Sequence, residues 1–127
     1  MTYSPEEDLK IKKVLLAFAG YIEESNQLEI IRTPKAGYVI LALEGNPPRA
    51  GDGFTVENGA DLCDFLMREI GYEFMVVSPG TYQTLRDLNP VEQIIVLHKI
   101  RKYTAALPEY RYLEDRLFTE PHPRWGY

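Results

Sequence analysis

The sequence predicts a small α+β fold, a mostly antiparallel sheet of three to four strands with helices packed on it. Three observations carry that prediction. A capped amphipathic helix opens the chain, two short β-branched runs then flank a Pro/Gly turn, and the second half returns to helical spacing. The predicted order is α-β-β-(β)-α-β-α-α. A length of 127 residues fits one domain, 1–127, with a short C-terminal tail from about residue 119.

Each element has its own signal. Ser4 can cap a helix, Pro5 suits the first helical position, and Glu7 can complete a capping box. Ile11, Val14, Leu15, Phe18 and Ile22 follow at helical spacing, so a helix is expected over Pro5–Glu24. Leu28–Thr33 and Tyr38–Leu43 flank the turn segment PKAG, in which Pro34 and Gly37 supply the restricted and the permissive backbone of a hairpin. The first run mixes Glu29 and Arg32 with apolar residues and should meet water on one side. The second is apolar throughout and predicts an interior strand covered on both faces. Two prolines and three glycines within Glu44–Gly53 predict a loop, with a short edge strand after it at Phe54–Glu57.

The second half reads similarly. Asn58 can cap a helix bearing Leu62, Cys63, Phe65, Leu66, Met67 and Ile70, with Gly71 closing it and a strand expected at 72–77. Thr81–Leu88 suggests a short helical turn. Asn89-Pro90 with Glu92 starts a firmer helix to about Ala106, its expected apolar face being Val91, Ile94, Ile95, Leu97, His98 and Ile100. Pro108 stops it, and Glu109–Phe118 can form a last helix with Tyr110, Leu113, Leu117 and Phe118 on one side.

Composition excludes several classes. The longest apolar stretches, Val14–Ile22 and Tyr38–Leu43, fall far short of the about 20 residues that span a bilayer, so no membrane insertion is expected. The acidic start MTYSPEED lacks the basic flank and apolar core of a secretion signal. One cysteine, Cys63, forms no intramolecular disulfide and suits a reducing, cytoplasmic setting. The net charge of −5 opposes non-specific nucleic-acid binding, although residues 1–97 carry −7 and residues 98–127 carry +2.

Motifs for chemistry are sparse. PPRAGDGF has glycines but neither the spacing nor the lysine and hydroxyl of a phosphate-binding loop, and Asp52 has no alternating acidic companions for calcium. Asp61, Asp64 and Glu69 surround Cys63, and their expected role is to complement a helix dipole; Cys63 itself reads as a small buried hydrophobe. His98 and His122 are the two histidines, and His98 is expected at a core edge. One cysteine and two histidines make a poor zinc or iron ligand set, and no cofactor is implied.

The C-terminal third interleaves aromatics with arginines. Tyrosine, tryptophan and arginine dominate binding hot spots, so Arg101, Tyr103, Tyr110, Arg111, Tyr112, Arg116 and Trp125 form the candidate interaction surface. The leading expectation is a non-enzymatic binding module that self-associates into a homo-oligomer or binds a protein partner. The alternatives are a small enzyme in which Asp61, Glu73, His98 and Tyr103 meet, and a nucleic-acid-associated protein using Lys99, Arg101, Lys102, Arg111 and Arg116.

Overall fold

The computed structural model describes residues 3–25, 28–35, 37–44, 49–74 and 84–120. Among these the fold is α+β: five α-helices and one three-stranded antiparallel sheet, strand order β1-β2-β3. The chain divides into two compact units, Met1–Leu62 and Cys63–Tyr127.

The first unit opens with α1, Pro5–Ala17, and α2, Ala19–Glu24. Ser4 Oγ accepts from the Glu7 amide at 3.1 Å, as the capping signal requires. Glu7 does not close the box. Its Oε1 accepts instead from the Gly59 amide at 2.6 Å, 52 residues along the chain. The continuous helix expected over Pro5–Glu24 is broken at Phe18, whose φ of −96° and ψ of 9° leave helical values. Phe18 is fully buried and lies two residues before Gly20, the weakest helix former of the stretch. Ile11, Val14, Phe18 and Tyr21 make the buried stripe, each side chain contributing about 1.5–3 kcal/mol.

Strand β1, Leu28–Thr33, and strand β2, Gly37–Glu44, form the predicted hairpin, registered Ile30↔Ile40 and Arg32↔Tyr38. Gly37 adopts φ 73°, a conformation L side chains rarely take. A Cβ there would also stand 2.6 Å from the Tyr3 hydroxyl. Strand β2 is central, as expected, but the expectation that it is covered on both faces is corrected. Tyr38 and Ile40 are buried while Val39, Leu41 and Leu43 are half-buried, the alternation of an antiparallel sheet packed on one side. The expected loop 44–53 is also corrected. Strand β3 runs Arg49–Thr55 and pairs with β2, and residues 45–48 lie outside the described residues. Pairing with β2 overrides the poor strand propensity of Gly51 and Gly53. Between Leu41↔Gly53 and Leu43↔Ala50, β3 carries one extra residue, the bulge that glycine in a strand commonly marks.

Helix α3, Gly59–Phe74, contributes its first turn to the first unit and the rest to the second. Asn58 Oδ1 accepts from the Asp61 amide at 2.8 Å and so caps it. Gly71 does not end α3. The strand expected at 72–77 is replaced by helix over 72–74, and 75–77 lie outside the described residues. Cys63, Leu66, Met67 and Ile70 form a buried stripe that carries the helix past its glycine.

The rest of the second unit is a 3-10 turn at Leu85–Asp87, helix α4 at Pro90–Thr104, a 3-10 segment at Pro108–Leu113 and helix α5 at Glu114–Thr119. The last helix expected over Glu109–Phe118 is thus a 3-10 segment followed by α-helix. Leu85, Leu88, Val96, Ile100, Leu107, Leu113 and Leu117 are buried in this unit. Residues 121–127, the tail with Trp125, and residues 81–83 lie outside the described residues. No helix among the described residues is long and apolar enough to cross a membrane.

Candidate functional site

Helix α4 is set locally and rotated by its surroundings. Asn89 Oδ1 accepts from the Glu92 amide at 2.9 Å, and Glu92 Oε1 accepts from the Asn89 amide at 3.1 Å, a complete capping box with Pro90 behind it. Val96, Ile100, Tyr103 and Thr104 form its buried side. Most of the apolar face expected from the sequence points the other way: Val91, Ile94 and Ile95 are 65%, 68% and 48% exposed. His98, expected at a core edge, is exposed too, and Leu97 is half-buried. The N-terminal half of α4 is apolar on both sides, so periodicity could not choose which side turns inward. One turn further, the outer face becomes basic with His98, Lys99, Arg101 and Lys102.

Near the end of α4 lies a pocket of about 270 Å³ lined by Arg101, Thr104, Ala105, Pro108, Arg111 and Glu114. Arg101 grips Glu114 with both sides of its guanidinium, Nε to Oε1 and Oε2 at 3.2 Å each and Nη2 to Oε1 at 2.7 Å. That pairing raises the Arg101 pKa. Arg111 has no ion-pair partner among the described residues.

Of the residues expected at an interaction surface, Arg101 and Arg111 share this pocket, and Tyr112 is 58% exposed. Tyr103 and Tyr110 are buried and pack the unit, with the Lys102 ammonium 5.6 Å from the Tyr103 ring centre. Arg116 Nε bonds Glu120 Oε2 at 3.0 Å. Trp125 lies outside the described residues.

The acidic stretch around Cys63 divides. Asp61 is exposed and accepts from Asn58 Nδ2 at 3.1 Å. Asp64 is buried and accepts from Arg68 Nε at 2.9 Å. Arg68, which the sequence reading passed over, is itself buried; its guanidinium also donates to the backbone carbonyls of Glu120 and, at 3.3 Å, of Arg116. The signal was present as an Asp and an Arg four residues apart on an apolar helix. Burial, with the negative charges of Asp64 and Glu109, pushes the Cys63 thiol up to about 12, the opposite of an activated nucleophile. His98 sits on the outer face of α4 and Tyr103 on its inner face, so this acid–base pair does not converge. The Glu73 side chain and His122 lie outside the described residues. Among the described residues no three His, Cys, Asp or Glu side chains gather to hold a metal ion.

A second surface belongs to the first unit. The Arg32 guanidinium lies 4.9 Å from the Tyr38 ring centre and 5.7 Å from that of Tyr3. Tyr3 is pinned, its hydroxyl donating to the Val56 carbonyl at 2.5 Å and accepting from the Tyr38 amide at 3.1 Å. Lys12, 2.8 Å from Asp8, holds that carboxyl below its usual range, helped by the charge of Arg32 and the Tyr38 hydroxyl. The chain matches no protein-family profile, no curated protein and no solved structure.

Proposed function

We propose that this chain is a non-enzymatic interaction module that self-associates through the outer face of α4. The observation that carries the reading is the exposure of Val91, Ile94 and Ile95 on consecutive turns of that helix. Left in water, large apolar side chains forgo about 1.5–3 kcal/mol of burial each, and a contiguous apolar patch marks a docking surface. An antiparallel pair of α4 helices related by a two-fold axis joins the two apolar halves at the centre. The same symmetry sets the basic end of one α4, with Lys99 and Lys102, beside the first turn of the other, which carries Glu92.

Six such side chains release about 9–18 kcal/mol against an association cost of about 4–15 kcal/mol, a surplus of about 4 kcal/mol that corresponds to a roughly millimolar dimer. Pairing of Arg101 with Glu114 and of Arg116 with Glu120 weakens the nucleic-acid alternative, because two of its five cations are already neutralised. The free, buried Cys63 is compatible with a cytoplasmic setting, and α3 running through the boundary at 62/63 favours one cooperative domain.

Sedimentation velocity across a concentration series is the test. The wild type is expected to approach twice the chain mass, while Ile94→Glu stays monomeric with an unchanged melting temperature. A wild type that shows no dimer at about 1 mM, where a millimolar constant populates it, overturns the reading.

A further inference from the structure

Strand β1 is an edge of the sheet, with β2 on one side and no strand on the other among the described residues. Alternate residues of such an edge turn their N–H and C=O groups outward, a template for another strand. Beside β1 runs an open apolar cleft of about 350 Å³. Leu15, Ala19 and Ile22 of α1 and α2 form one wall, and Ile30 and Tyr38 of the sheet form the other. Arg32 and Glu23 are its charged members, and both are exposed. Arg32 has no carboxylate within ion-pair distance among the described residues, and its guanidinium is oriented by the two tyrosine rings.

We propose that the β1 edge and this cleft bind an extended peptide segment of another protein, which adds to the sheet as a fourth strand. Its chemistry follows from strand geometry. Side chains alternate, so peptide residues opposite Ile30 and Arg32 are two apart and face the cleft together. The position against Leu15, Ile22 and Ile30 takes a large apolar side chain, and the position against Arg32 takes Asp or Glu. With the peptide antiparallel to β1, the residue opposite Arg32 comes two before the one opposite Ile30, so the recognised pattern is acidic-x-apolar.

A second copy of β1 is a poorer occupant. Two-fold antiparallel pairing joins residues of the same face, and β1 carries Glu29 on the face opposite Arg32, so self-pairing leaves Arg32 without a carboxylate. This surface is independent of α4, and either proposal can fail alone.

Panning the full chain against displayed random heptapeptides tests the proposal. Peptides with the acidic-x-apolar pattern are expected to enrich, and the strongest of them to shift the β1 backbone amides in NMR spectra. Arg32→Glu, at an exposed position, should fold as the wild type and weaken that peptide at least about tenfold, while selecting basic-x-apolar sequences instead. Ile22→Glu should abolish enrichment. No enrichment, identical sequences selected by wild type and Arg32→Glu, or shifted amides lying outside β1 would each overturn it.

Discussion

Two arginines show how the two units use positive charge. In the second unit Arg68 is buried and fully engaged by the Asp64 carboxylate and by the carbonyls of Arg116 and Glu120 at the end of α5. In the first unit Arg32 is exposed, laid over Tyr38 and Tyr3, and joined to no carboxylate among the described residues. A buried guanidinium must be neutralised or it destabilises the fold, so Arg68 is committed to structure. An exposed guanidinium on an aromatic platform stays solvated and needs no buried counter-charge. The same residue type therefore serves stability in one region and, in the proposal for the β1 edge, recognition in the other.

The largest expected effect is on the buried arginine. Arg68→Ala should cost about 3–5 kcal/mol in urea unfolding, because it leaves Asp64 charged and unpaired in the interior. The double change Asp64→Leu with Arg68→Met should recover much of that loss, since removing both charges removes the desolvation cost. If the single variant melts like the wild type, the contrast between the two arginines collapses.

Alkaline pH examines the same region. Cys63 ionises near 9.0 when unfolded and only near 12 when folded. The unfolded chain then loses its proton first, so stability should fall progressively across that window. Cys63→Ala removes this contribution, and the difference between the two pH–stability curves above about pH 9 isolates it from tyrosine and lysine ionisation. Curves that stay parallel there would show the thiol is not held in its neutral form.

In the first unit the larger effect belongs to the backbone beneath Arg32. Gly37→Ala forces a side chain into φ 73° and against the Tyr3 hydroxyl, which two hydrogen bonds hold in place. A loss of about 2 kcal/mol is expected by thermal denaturation. Arg32→Ala is the smallest change, within about 0.5 kcal/mol of the wild type, because an exposed residue without an ion pair contributes little to the fold. A much larger loss would assign Arg32 to structure, like Arg68.

How much of this was legible can be traced residue by residue. The caps at Ser4, Asn58 and Asn89 were readable because a cap needs only residues three apart. The hairpin was readable because Pro34 restricts the backbone and Gly37 permits a positive φ, each at its own position. Strand β3 was not, since Gly51 and Gly53 become strand only when β2 supplies their hydrogen-bond partners. Nor was the end of α3, where the burial around Ile70 outweighs the local cost of Gly71. The candidate surface divided for a related reason. Tyr103 and Tyr110 have the composition of a hot spot, yet composition does not say which way a ring points.

The sequence by itself determined the fold class, the central hairpin and the starts of α1, α3 and α4, because each depends on contacts within a few residues. The tertiary structure decided which face of α4 turns inward, which arginine is buried and, among the described residues, which strand lies at the edge of the sheet. Those choices depend on elements far apart in the chain: no short-range pattern distinguishes Val91 from Val96, and the Asp64–Arg68 spacing marks a pair without saying that it is buried.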